Sequence, residues 1–138
     1  MSKKILIVSD DKASSASLCQ ALTAGDFTLV VTDDVDKGFA LLVESHFDLA
    51  IINLKDVSKA IDLIRRIRAD AQLGRLFLLN IAEWGTGQGT MALVQGADSF
   101  EPAPVQPERI AAAVERLLRP NLAMTAKATR GDPGELAF

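Results

Sequence analysis

"FDLAIINLKD", residues 47–56, decides the fold. Leu49, Ala50, Ile51 and Ile52 follow Asp48 without any in/out alternation, and Asn53 ends the run. A strand that is apolar on both sides is covered on both faces, which is the habit of parallel sheets. The run also delivers a neutral carboxamide to its far end. A buried amide must find hydrogen-bond partners or cost roughly a few kcal/mol, so Asn53 either caps a strand or stands where chemistry happens or once did.

On either side of this run, short apolar stretches alternate with helical patterns. Candidate strands are Ile5–Val8, Phe27–Val31, Leu49–Asn53, Leu76–Ile81 and Ser99–Glu101. Leu18 and Leu22 mark a first helix and Phe39–Val43 a second. Val57, Ala60, Ile61, Ile64 and Ile67 recur at helical spacing in a third, and Ile110, Val114, Leu117 and Leu118 do so in a fifth. Met91–Val94 is a short fourth helix. Five β-α units of this kind give a single α/β domain, a doubly wound five-stranded parallel sheet of the (βα)5, flavodoxin-like type. In such sheets a site forms beyond the carboxyl ends of the strands. That rim collects Ser9, Asp10 and Asp11, then Asn53, then Ile81 and Ala82, then Ala103 and Pro104.

Composition bounds the rest. The chain has 138 residues and is 49% apolar, enough to bury roughly two thirds of its unfolded surface. A net charge of −3 carries no basic excess, which argues against nucleic-acid binding by this domain. Cys19 is the only cysteine, so no internal disulfide forms and a reducing cytoplasm is the expected setting; on the first helix it reads as semi-buried and inert. The apolar run in "MSKKILIV" stops at Ser9, too short for a signal peptide or a membrane span. Residues 1–120 read as the folded domain. Residues 121–138, "NLAMTAKATRGDPGELAF", lose the apolar period and read as a mobile tail or linker.

The rim residues carry a family resemblance over Lys3 to about Leu118. "KKILIVSDD" resembles the first strand and acidic corner of response-regulator receiver domains (CheY-like), the modules phosphorylated by histidine kinases in two-component phosphorelay signalling. "FDLAIINL" resembles the strand whose last Asp is the phosphoacceptor, "LFLLNIA" the strand ending in Thr-Ala or Ser-Ala, and "GADSFEPAP" the family's "GADDYLTKP".

The resemblance implies a pocket, and this chain departs from it. Asn53 stands at the nucleophile's position, and a carboxamide has no anionic oxygen with which to attack phosphorus. Ser9 replaces one acid of the corner, Ile81 the hydroxyl that bonds the phosphoryl group, and Ala103 the lysine that neutralises it. The loop "LKDVSKAID" is one residue shorter than the family's and lacks its Pro and Gly. Where the usual pocket carries two net negative charges, this one carries a single charge from Asp10, so acids and counter-cation have gone together. The implied protein is a pseudo-receiver, a phosphorylation-independent interaction module and not an enzyme. Mg²⁺ binding is expected weak or absent, with Asp10 the remaining candidate ligand.

Further expectations attach to single residues. Asn53 reads as a hydrogen-bonded strand-end amide, and Asp10 and Asp11 as carboxylates capping the first helix. Ile81 reads as core, and Phe100, at the family's switch aromatic, as fixed in orientation. The Ala103-Pro104 bond is expected cis, as in the family. "WGTGQGT", residues 84–90, reads as a mobile loop shortening the fourth helix, with a phosphate-binding nest the alternative. Trp84 is either a partner anchor or buried, and His46 a solvated side chain with no companion for catalysis or metal binding. By resemblance, the α4-β5-α5 face binds another signalling protein or a second copy through Trp84, Met91, Val94, Gln95, Phe100, Val105, Arg109 and Ala113. Two alternatives stay open: an atypical receiver phosphorylated at Asp56 or Asp10, and a small-molecule sensor using the 84–90 loop.

Overall fold

A computed structural model describes residues 3–83 and 87–119. Trp84, the "WGT" half of the glycine-rich stretch and the expected tail 121–138 lie outside the described residues. Among the described residues the chain alternates β1 (Lys3–Ser9), α1 (Lys12–Leu22), β2 (Phe27–Thr32), α2 (Val35–Glu44), β3 (Leu49–Asn53), α3 (Val57–Ala69), β4 (Phe77–Glu83), α4 (Gln88–Gln95), β5 (Ser99–Ala103) and α5 (Pro107–Leu118), with a 3₁₀ turn at Ala71–Leu73. The strands form one parallel sheet in the order β2-β1-β3-β4-β5. This is the doubly wound fold expected from the apolar runs. Among the described residues no helix is long and apolar enough to cross a membrane.

Strands β1 to β4 each feed two cores. Leu6, Val8, Ala50, Ile52 and Leu78 face α2, α3 and α4, where they meet Leu42, Ile64 and Ile67. Ile5, Ile7, Leu49, Ile51 and Leu79 face α1 and α5, where they meet Leu18, Ile110 and Val114. The absence of alternation in "LAII" thus has a plain cause: Ala50 and Ile52 serve one core, Leu49 and Ile51 the other. Each fully buried aliphatic chain contributes about 1.5–3 kcal/mol. At Gly38 on α2 an added Cβ would lie 3.0 Å from Val8 Cγ2, so this glycine sets how closely the helix approaches the sheet.

The helix ends are locally encoded. Asp34 accepts from the amides of Asp36 and Lys37, and Asp56 from those of Ser58 and Lys59, so each carboxylate caps the helix behind it. Pro107 opens α5, Glu108 sits in its first turn and Arg116 in its last, all matched to helix polarity.

The boundaries differ from expectation in several places, among them β4, which runs Phe77–Glu83 rather than Leu76–Ile81. β1 begins at Lys3 because Lys3 and Lys4 pair with Phe27 and Thr28 of β2. β5 runs to Ala103 despite Pro102, because β5 is an edge strand and a missing donor costs little there. The glycine-rich stretch is not loop to its end: Gly87 caps α4 with φ +80 and residues 88–90 are already helical. A left-handed cap suits glycine, and Gly89 within the helix removes the alternating-glycine nest from that half of the motif.

Candidate functional site

β1 and β3 are neighbours whose partners in the sheet diverge, so their carboxyl ends open onto the switch point of the topology. Register places Ser9 opposite Asn53 there. Ser9 is only 3% exposed and Asn53 is half-buried. Asn53 Nδ2 donates to Ser9 Oγ at 3.3 Å. The same oxygen accepts from the Asp11 amide at 3.4 Å and donates to the Asp11 carbonyl at 3.2 Å. A hydroxyl has one donor and two acceptor positions, and all of those of Ser9 are used. The strands are also tied by the Asp10 amide, which donates to the Asn53 carbonyl at 3.4 Å.

The two acids of the corner do not cap α1 as expected. Asp10 is exposed and turns away from the helix, accepting the Lys55 amide at 3.2 and 3.3 Å through its two oxygens. It therefore fastens the loop after β3 rather than the helix after β1. Asp11 does occupy the N-cap position, yet its carboxylate makes no cap hydrogen bond to a backbone amide. Instead it accepts the Ser14 hydroxyl at 2.6 Å. That hydroxyl holds the carboxyl below the usual range against the opposing effect of desolvation.

The remaining pocket positions are apolar. Ile81 is 1% exposed and packs with the core beneath α1 and α5. Ala103 is partly buried against the same core, and the bond from it to Pro104 is cis. Phe100 is partly buried and pairs in register with Asn80. Beside the rim, Asp10, Asp33, Asp34, Asp36 and Asp62 line a cavity of about 550 Å³ together with Lys59 and Arg66. Among the described residues no group of three or more His, Cys, Asp or Glu side chains is placed to hold a metal ion.

The suggested partner face is only partly open. Val94 is 76% and Met91 50% exposed on α4, with Leu93 beside them. Arg109 is committed to Glu101, Nε to Oε1 at 3.0 Å, and Gln95 Oε1 accepts from Arg65 Nε at 2.9 Å. Ala113 does not belong to the face: it is fully buried in the α1–α5 core, because it shares the inner side of α5 with Ile110 and Val114. His46 is exposed, with Nε2 3.2 Å from Asp48 Oδ1.

Two arrangements carry no signal in the sequence pattern. Arg68, in the last turn of α3, donates through three nitrogens: to the Gly96 carbonyl at 2.8 Å, the Leu76 carbonyl at 2.7 Å and Asp98 Oδ2 at 2.8 Å. It clasps the ends of α4 and β4 to α3. Asn80 is fully buried on β4, and neither its Oδ1 nor its Nδ2 has a hydrogen-bond partner.

No family model matches the chain. It is 31% identical over 118 residues to the transcriptional regulatory protein CusR of Escherichia coli K12, a match covering 84% of this chain and 51% of that protein. The chain thus spans about half the length of that relative. Among solved structures it superposes on the chemotaxis response regulator CheY4 of Vibrio cholerae with a TM-score of 0.76 at 18% identity, covering 86% of this chain and 100% of that one. An orphan response regulator of H. pylori, HP1043, gives 0.74 at 21% identity, with 86% and 98% covered. The sequence match and the shared fold together support a response-regulator receiver domain of the CheY-like, two-component type.

Proposed function

We propose that this receiver-type domain signals without being phosphorylated, as a pseudo-receiver that recognises a protein partner through its α4-β5-α5 face. The observation that carries the reading is the uncharged bond between Asn53 and Ser9. At the position where receiver domains keep a nucleophilic carboxylate, the side chain offers an amide whose nitrogen is already donating. No acyl phosphate forms on such a group.

Mg²⁺ does not fit the residues present. A hard dication wants several anionic oxygens, and of the two corner acids Asp10 already accepts the Lys55 amide through both oxygens while Asp11 is engaged by the Ser14 hydroxyl. Asp56, the other carboxylate on the loop, is occupied as the N-cap of α3. The partner is another signalling protein or a second copy of this chain. Exposed Met91 and Val94 supply the apolar contact on α4, and Phe100 and Val105 border it. We place the protein in the cytoplasm, acting without nucleic-acid contact by this domain.

Incubation with acetyl phosphate and Mg²⁺, followed by intact mass measurement, tests the first half. The expected mass is unchanged, and a stable phosphoryl adduct on any rim carboxylate would defeat the reading. For the second half, sedimentation of the protein alone and with its candidate partners is compared with that of Val94→Asp. Loss of association with unaltered thermal stability supports the face, since exposed positions tolerate such changes within about 0.5 kcal/mol.

A further inference from the structure

At the pole opposite the rim, where the strands begin, lies a larger concavity of about 750 Å³. Its apolar floor is built by Phe47, Leu76 and Leu117, and Val43 of α2 lines it while 45% exposed. Its mouth is ringed by cations from separate elements: Lys3 on β1, Arg75 ahead of β4, and Arg116 and Arg119 at the end of α5. Among the described residues the one carboxylate in the lining, Asp48, is turned to local duty, accepting the Lys4 amide at 2.8 Å and facing His46 Nε2 at 3.2 Å. Some of this positive charge suits the carboxyl ends of helices. That role accounts for Arg116 and Arg119 at the end of α5, and the charge of Lys3 acts on Asp48; Arg75, on the loop ahead of β4, serves no helix end of α1–α5.

We propose that this groove receives a short acidic segment of a partner protein, an aliphatic or aromatic anchor flanked by carboxylates. The distribution of charge favours that occupant. Cations on several sides of an apolar floor match carboxylates on both flanks of an anchor, whereas a single-headed amphiphile uses only one side. The volume suits a few side chains rather than a whole domain surface. The groove shares none of the residues named for the α4-β5-α5 face, so the two surfaces can be engaged together.

The test is titration of the full chain with a capped EELFEE peptide, read by amide chemical shifts and by fluorescence anisotropy. Saturable shifts at Leu76, Phe77 and Leu117 are expected, with affinity falling as salt rises. The double variant Arg75→Glu/Arg119→Glu changes two exposed side chains, so it keeps the native amide spectrum, and it weakens binding at least about tenfold. A KKLFKK peptide leaves the same amides unmoved. No saturable binding, binding indifferent to the double variant, or shifts confined to α4 would each overturn the assignment. So would preferential binding of dodecanoate, which would make the groove a site for small amphiphiles.

Discussion

Asn53 donates to Ser9 across 3.3 Å, joining the carboxyl ends of β3 and β1 through two side chains that carry no charge. A pair of carboxylates in the same places would repel unless a cation lay between them. Here each strand end satisfies the other, and Asp10 is free to hold the loop after β3 through Lys55. Restoring one acid alone is therefore a loss. Ser9→Asp puts a charge at a position 3% exposed and beside Asp10, and it is expected to cost about 1–3 kcal/mol at neutral pH. Burial raises the new carboxyl's folded pKa above its unfolded value. The penalty is full above that folded pKa and fades as pH falls through it, so urea denaturation across acidic pH shows stability recovering.

Asn80 gives the opposite expectation. Its amide is fully buried with no partner for either atom, a state that costs about 1–3 kcal/mol. Asn80→Leu, close in shape and apolar among Ile52 and its neighbours, is expected to raise stability by that order. Thermal unfolding checks the sign; a destabilised Leu variant would mean the amide is satisfied in solution.

Arg68 and Gly96 form a joint that neither residue makes alone. The guanidinium spends three donors on two carbonyls and a carboxylate, and Gly96 holds φ +128 with Arg68 Cγ 2.5 Å from where a Cβ would stand. Arg68→Lys keeps the charge but not the planar fork. It is expected to lose about 1–3 kcal/mol, close to Arg68→Ala, and hydrogen exchange at Gly96 and Ala97 reports the loosened turn.

Asp48 sets part of the acid limit. Burial pushes its carboxyl up, but the Lys4 amide, the His46 ring and the charge of Lys3 outweigh that and hold it below 3.8. A depressed folded pKa means stability that is present above the unfolded value and lost as pH falls through the folded one. Asp48→Asn is expected to flatten the acid limb of the stability curve while leaving its shape at neutral pH unchanged, as urea denaturation across the pH range checks.

How much of this was legible differs from residue to residue. β3 matched to the residue because "LAII" is apolar on both faces and two cores consume it. The start of β1 was hidden because lysines are poor strand markers, and only pairing with β2 extends the strand through them. The alternation of strands and helices put Ser9 and Asn53 on one rim, but their mutual bond spans 44 positions and no local pattern announces it. Arg68 in a last turn reads as a helix-polarity residue until α4 and β4 arrive beside it. The helical identity of residues 88–90 was masked by glycines, whose low propensity is offset by Ala92 packing into the core.

The prolines of β5 have a consequence for solution behaviour. Pro102 lies within the outermost strand and Pro104 just past its end, so that flank presents a ladder with missing rungs. A neighbouring copy cannot extend the sheet there strand by strand, which guards a crowded, apolar-rich chain from fibrous assembly on that side.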